Sequence, residues 1–175
     1  MTGKDRAGLL GLVGALKDCE AVAGELLGQR VNSLTALGFI VVGIVILVRT
    51  ERVWVGVGAI GTGIGSFVFH GPMPSWGQLV HDVTLWFLVG VVTFAIGRDL
   101  RSGASWRALI GPLALLAVVA LIGRLGATGG PLCDPGSVVQ PHGLWHLGAA
   151  SALLWWAMLY PTPTRNETTR YGVPV

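Results

Sequence analysis

Long apolar runs alternate with short polar breaks along this chain. Five runs stand out: Val31 to Val48, Val53 to His70, Gln78 to Gly97, Arg107 to Gly123 and His142 to Tyr160. Each is close to the roughly 20 apolar residues that a helix needs to cross the hydrocarbon core of a bilayer. None carries a broad polar stripe, and a helix that is apolar nearly all round belongs in lipid or inside a bundle. The pattern predicts an all-α fold, a polytopic transmembrane bundle of about five spans over residues 31–160. Residues 1–30 form an extramembrane segment ahead of it. Within that segment Ala7 to Leu16 is apolar but too short to span, so it reads as an interfacial helix or as the apolar part of a signal peptide. Lys17, Asp18 and Glu20 separate it from the small-residue run Ala21-Val22-Ala23, which argues against cleavage there. Residues 161–175, rich in Pro, Thr and Arg, are expected to be a disordered tail.

Composition strengthens the membrane reading. Of 175 residues, 52% are apolar and 12% are charged, against about 25% charged in a soluble domain. That excludes a disordered chain, which needs low hydrophobicity and high charge. It also leaves too few charges to cover an ordinary soluble globule. The net charge is only +3 and the basic residues form no stripe, so nucleic acid is not an expected partner. Glycines inside the second run (Gly56, Gly58, Gly61, Gly63, Gly65) suit close helix packing. The tryptophans mostly suit an interfacial belt.

The short loops set an orientation. One side collects seven basic residues, Arg49, Arg52, Arg98, Arg101, Arg107, Arg165 and Arg170. The other collects five, Lys4, Arg6, Lys17, Arg30 and Arg124. The bias places the N-terminus outside and the C-terminus in the cytoplasm.

Ionisable residues inside spans are costly, and each is a candidate functional group. All four histidines fall at such places. His70 ends the second run, His81 and Asp82 open the third, and His142 and His146 open the fifth. A serpentine topology brings these three helix ends to one face of the membrane, whichever way up the protein sits. His142 and His146 are four apart and project from one side of a helix. That spacing suits a single metal ion, with His70 from another helix as third ligand and one position left for water. Ser66 stands one turn before His70 on the same side; alone it reads more readily as a small packing residue with a back-bonded hydroxyl. His81 and Asp82 point about 100° apart on a helix, so only one of them is expected to face the site. Asn32, Ser33 and Thr35 suit capping and packing of the first helix. Cys19 and Cys133 lie on the histidine side, where a disulfide would clamp the N-terminal segment over the site; two free thiols fit the sequence equally well.

The order of these residues resembles the CREST superfamily of membrane hydrolases, which includes the alkaline ceramidases and adiponectin-receptor-like proteins. Gly63-Ile64-Gly65-Ser66-Phe67-Val68-Phe69-His70 resembles the family's G-x-G-S-x-x-F-H segment. Asp82 stands in the place of the family aspartate, and His142-Gly143-Leu144-Trp145-His146 resembles its terminal H-x-x-W-H. Asp18-Cys19-Glu20 resembles the D-x-C-E of alkaline ceramidases, and Glu25 and Asn32 resemble the Glu and Asn that flank their first span. The family usually has seven spans; the two missing here fall between the aspartate helix and the last helix, which preserves the parity. The resemblance implies zinc on His70, His142 and His146, a site completed by Ser66 and Asp82, and a calcium site on Asp18, Glu20 and Glu25. It implies a short bacterial-type member in the inner (plasma) membrane that hydrolyses a lipid amide, ceramide-like, or an ester. Asp82 would move a proton and Ser66 would donate a hydrogen bond to the developing oxyanion. Two other classes stay open. One is a redox protein with haem ligated axially by His70 and His142. The other is a non-enzymatic receptor with a structural metal.

Overall fold

The apolar runs fold as helices in the computed structural model, which describes residues 18–24 and 26–159. The first three are α1 (Arg30–Arg49), α2 (Val53–His70) and α3 (Gly77–Arg101). A 3-10 turn over Trp106–Leu109 then leads into α4 (Ile110–Leu125), and α5 (Pro141–Leu159) follows. No strand occurs among the described residues. The N-terminal apolar segment and the C-terminal tail lie outside the described residues. α3 runs a turn further than the apolar pattern, through Arg98 and Asp99, because Asp99 finds a partner in Arg52 at 2.8 Å. α5 starts on Pro141, whose missing N–H costs nothing in a first helical turn.

Four helical stretches, Arg30–Arg49, Val53–His70, Gly77–Arg101 and Trp106–Leu125, are long and apolar enough to cross a membrane. α5 has 19 residues, but its histidines, glycines and tryptophans dilute its apolar character. It nevertheless packs in the same bundle. α2 lies against α1 and α3, and α5 lies against α1 and α4. The row is thus α3, α2, α1, α5, α4, with α1, α2 and α5 at its centre. The core between them includes Phe39, Ile46, Val55, Ala59, Ala150 and Trp156. Two glycines explain how closely α2 sits between its neighbours. A methyl group on Gly63 would stand 2.6 Å from an Ile40 side-chain carbon of α1, and one on Gly65 would stand 3.2 Å from the backbone of His81 on α3. Small residues buy such close approach where packing, not hydrophobicity, holds helices together.

The start of α1 is built unusually. Its N-cap residue, Gln29, supplies no side-chain cap. Glu20 does so from nine residues upstream: its Oε1 accepts the Val31 N–H at 2.7 Å and its Oε2 accepts the Asn32 N–H at 2.9 Å. A carboxylate there satisfies two orphan amides and meets the positive end of the helix. The chain reaches this position as a strap across the helix ends. Cys19 is bonded to Cys133 in the α4–α5 connection, with Cα atoms 5.6 Å apart. The Cys19 N–H also donates to Thr128 Oγ1, and the Ala21 N–H donates to the Pro135 carbonyl. Cys19 takes φ 68°, a left-handed conformation uncommon for a residue with a Cβ. That turn sends Asp18 and Glu20, its two neighbours, to different places.

Candidate metal centre

The last turns of α2 and the first turns of α5 meet beneath the strap. Ser66 and His70 lie one turn apart on α2 and are 1% and 0% exposed. His142 and His146 lie one turn apart on α5. The three imidazoles pack with ring centroids 4.6–5.4 Å apart. One nitrogen from each lies within 4.8 Å of the others. A tetrahedral metal with bonds of about 2.0 Å separates its nitrogen ligands by about 3.3 Å, so small side-chain rotations close the set.

Which nitrogen faces inward follows from the hydrogen bonds. His70 Nδ1 lies 2.6 Å from Gln29 Oε1. The Gln29 amide is oriented by its own Nε2, which donates to the Glu20 carbonyl at 3.1 Å, so an oxygen meets His70. His146 Nδ1 lies 3.2 Å from Thr35 Oγ1. The Thr35 hydroxyl proton is committed to the Val31 carbonyl at 2.7 Å, so its oxygen accepts. His142 Nδ1 lies 3.4 Å from Asp18 Oδ1. Each Nδ1 therefore meets an acceptor and carries the proton, which leaves the three Nε2 lone pairs for the interior. His70 Nε2 and His142 Nε2 are buried without a hydrogen-bond partner. His146 Nε2 has Ser66 Oγ at 3.0 Å. Three inward lone pairs thus share one hydroxyl. An unsatisfied buried acceptor costs about 1–3 kcal/mol, and a cation at the point of convergence removes that cost. Outer partners that fix the tautomer and aim of each ring are the usual support of a metal site. The residues fit a metal ion.

The other expected residues fall differently. Asp82 does not join the three histidines. Its side chain is 49% exposed, and Oδ1 lies 2.8 Å from His81 Nδ1. His81 is the member of the pair that leans toward the site, with its ring 6.3 Å from that of His70 and 5.3 Å from that of Phe69. Asp82 thus reaches the centre through its neighbour. Asp18 lies against His142 and, at 3.9 Å, His70 Nδ1. Glu20 spends both oxygens on α1, and Glu25 lies outside the described residues. Asp18 therefore lies beside the histidine cluster, and Glu20 caps a helix end.

Three participants escaped the sequence reading. Gln29 drew no reading, Thr35 read as capping and packing, and His81 read as an alternative to Asp82 when it is its partner. A signal existed for His81, which shares the histidine face of the bundle. Comparison with family models, with curated proteins and with solved structures finds no match.

Proposed function

We propose that the chain is a zinc-dependent membrane hydrolase that cleaves an amide or ester bond of a membrane lipid. The observation that carries the reading is the convergence of three buried, tautomer-fixed histidines from two helices. α5 is the fifth span in this account, because it is a helix of 19 residues that packs against α1 and α4. The histidine end faces the outside of the bacterial plasma membrane, where an oxidising medium keeps the Cys19–Cys133 bond.

Zinc on His70, His142 and His146 would supply a Lewis acid and a water acidic enough to ionise near neutral pH. The chain's own groups do the rest. Ser66, buried beside His146, donates its hydroxyl to the substrate oxygen as negative charge develops there. His81, held by Asp82, accepts and returns protons between the site and the aqueous face. Gln29, Thr35 and Asp18 hold the three rings in place. The strap shields the site from above, so a lipid approaches from the side. Packing disfavours the haem alternative, because rings 4.6–5.4 Å apart leave no flat space for a macrocycle. Calcium gains no support from Asp18 and Glu20, whose carboxylates are engaged within the protein.

The test is hydrolysis of a panel of fluorescent lipid amides and esters by the purified protein. Wild type should turn over at least one substrate, a zinc chelator should stop it, and His70→Ala should lose about a hundredfold or more. Turnover that survives both the chelator and His70→Ala would overturn the reading.

A further inference from the structure

A second polar feature lies at the other end of α2. His70 closes that helix and Arg52 precedes its first turn, so the two ends are separated by roughly 27 Å of helix rise. This is close to the thickness of the hydrocarbon core. At the Arg52 end the first turn of α2 and the latter half of α3 bound a cleft of about 220 Å³. Arg52 and Arg98 line it at one side, with Glu51 as the single acid. Gly90, Val91 and Phe94 continue it along α3 as an apolar wall.

Several details give the cleft the character of a lipid seat. Arg52 is 4% exposed, and Asp99 behind it fixes its guanidinium at 2.8 Å. Arg98 is exposed at the rim. The first turn of α2 also faces the cleft, and it has no side-chain cap. A helix N-terminus favours an anion, and here it adds to Arg98, since Arg52 is already paired with Asp99. Trp54 and Phe94, both exposed, flank the opening. Such aromatics sit at the headgroup level of a bilayer. On the α3 side a Cβ at Gly90 would meet no atom within 4 Å, so the wall is open there.

We propose that this cleft seats an anionic phospholipid. Its phosphate lies between Arg98 and the first turn of α2, and an acyl chain runs past Gly90 and Phe94. Basic pockets between spans on the cytoplasmic side hold anionic headgroups in this way. The volume suits a headgroup and not a drug-sized molecule. The proposal rests on the membrane reading and is independent of the metal chemistry.

Native mass spectrometry of the detergent-purified full chain tests it. Phosphatidylglycerol should bind at about tenfold lower concentration than phosphatidylcholine. Arg98→Gln should weaken phosphatidylglycerol about fivefold. Gly90→Leu should fill the cleft and weaken it similarly, while Arg107→Gln, outside the lining, should leave it unchanged. A Cβ at Gly90 meets no atom within 4 Å, so unaltered helicity by circular dichroism is expected. Equal binding of the two lipids overturns the proposal, as does undiminished binding in both cleft variants. Glycerol phosphate that displaces the lipid at equal concentration overturns the choice of a lipid over a soluble phosphate.

Discussion

The two ends of the bundle hold buried polar clusters of different charge. At the α2 N-terminal end Arg52 meets Asp99 at 2.8 Å and lies over the Trp156 ring at 4.6 Å. Positive charge finds negative charge and an aromatic face, all supplied by the chain. At the other end three histidines turn their Nε2 atoms toward one another, and among the described residues Ser66 alone offers a hydrogen there. The first cluster balances its charge within the chain and ties the start of α2 to α3 and α5, although Arg52 Nε and Nη1 and Trp156 Nε1 are buried without a hydrogen-bond partner. The second gathers three acceptors without a counter-charge between them and could hold a metal ion. Buried polarity by itself therefore does not mark a functional site; three acceptors that converge with one hydroxyl among them do.

The contrast can be broken most forcefully at the Arg52 end. Arg52→Ala strands a buried carboxylate and should cost about 3–5 kcal/mol, seen as a large fall in melting temperature in detergent. Replacing both partners, Arg52→Met with Asp99→Leu, should restore most of that stability. Metal content should match wild type in the double variant. A metal loss there would mean that the two ends are coupled and the contrast false.

Next in size is the strap. Cys19→Ser with Cys133→Ser should cost about 2–4 kcal/mol of stability. It should also weaken the metal, because Asp18 loses its anchor beside His142. A melting curve and a chelator competition read the two effects separately. Unchanged metal affinity would remove Asp18 from the site's support.

Gln29→Met keeps the volume of the side chain and deletes the acceptor that holds His70. Metal affinity should fall about 10–100-fold. Thr35→Val does the same for His146 and should act in the same direction. If either variant bound metal as tightly as wild type, the tautomer assignment at that ring would be wrong.

The smallest expected effect is Glu20→Ala, about 1 kcal/mol from a lost helix cap. Added calcium should not shift the melting temperature of wild type or variant. A calcium-dependent rise in wild type alone would return Glu20 to a cation site.

The sequence made the helices legible because long apolar runs leave the chain few alternatives in a bilayer. The observed bounds agree with the runs to within a few residues, except where Asp99 draws α3 onward to Arg52. The three histidines were legible as well, since helix parity and a four-residue spacing fix where they meet. Asp82 was not, because its direction depends on how α3 rotates against Gly65 and on the hydrogen bond to His81. The capping role of Glu20 was hidden for a similar reason. In sequence it is an acid near other acids; in space the left-handed turn at Cys19 delivers it to the start of α1. Gln29 carries no spacing signal at all, and only the tertiary contact with His70 identifies it. The cysteine pair was undecidable until the fold brought residues 114 positions apart into bonding distance.

The central claim is that three histidines of α2 and α5 hold one metal ion. Metal analysis of the purified full chain tests it most directly. Wild type should carry about one zinc per chain, and His142→Ala combined with His146→Ala should carry none while its helicity persists. Full zinc content in that double variant would contradict the account.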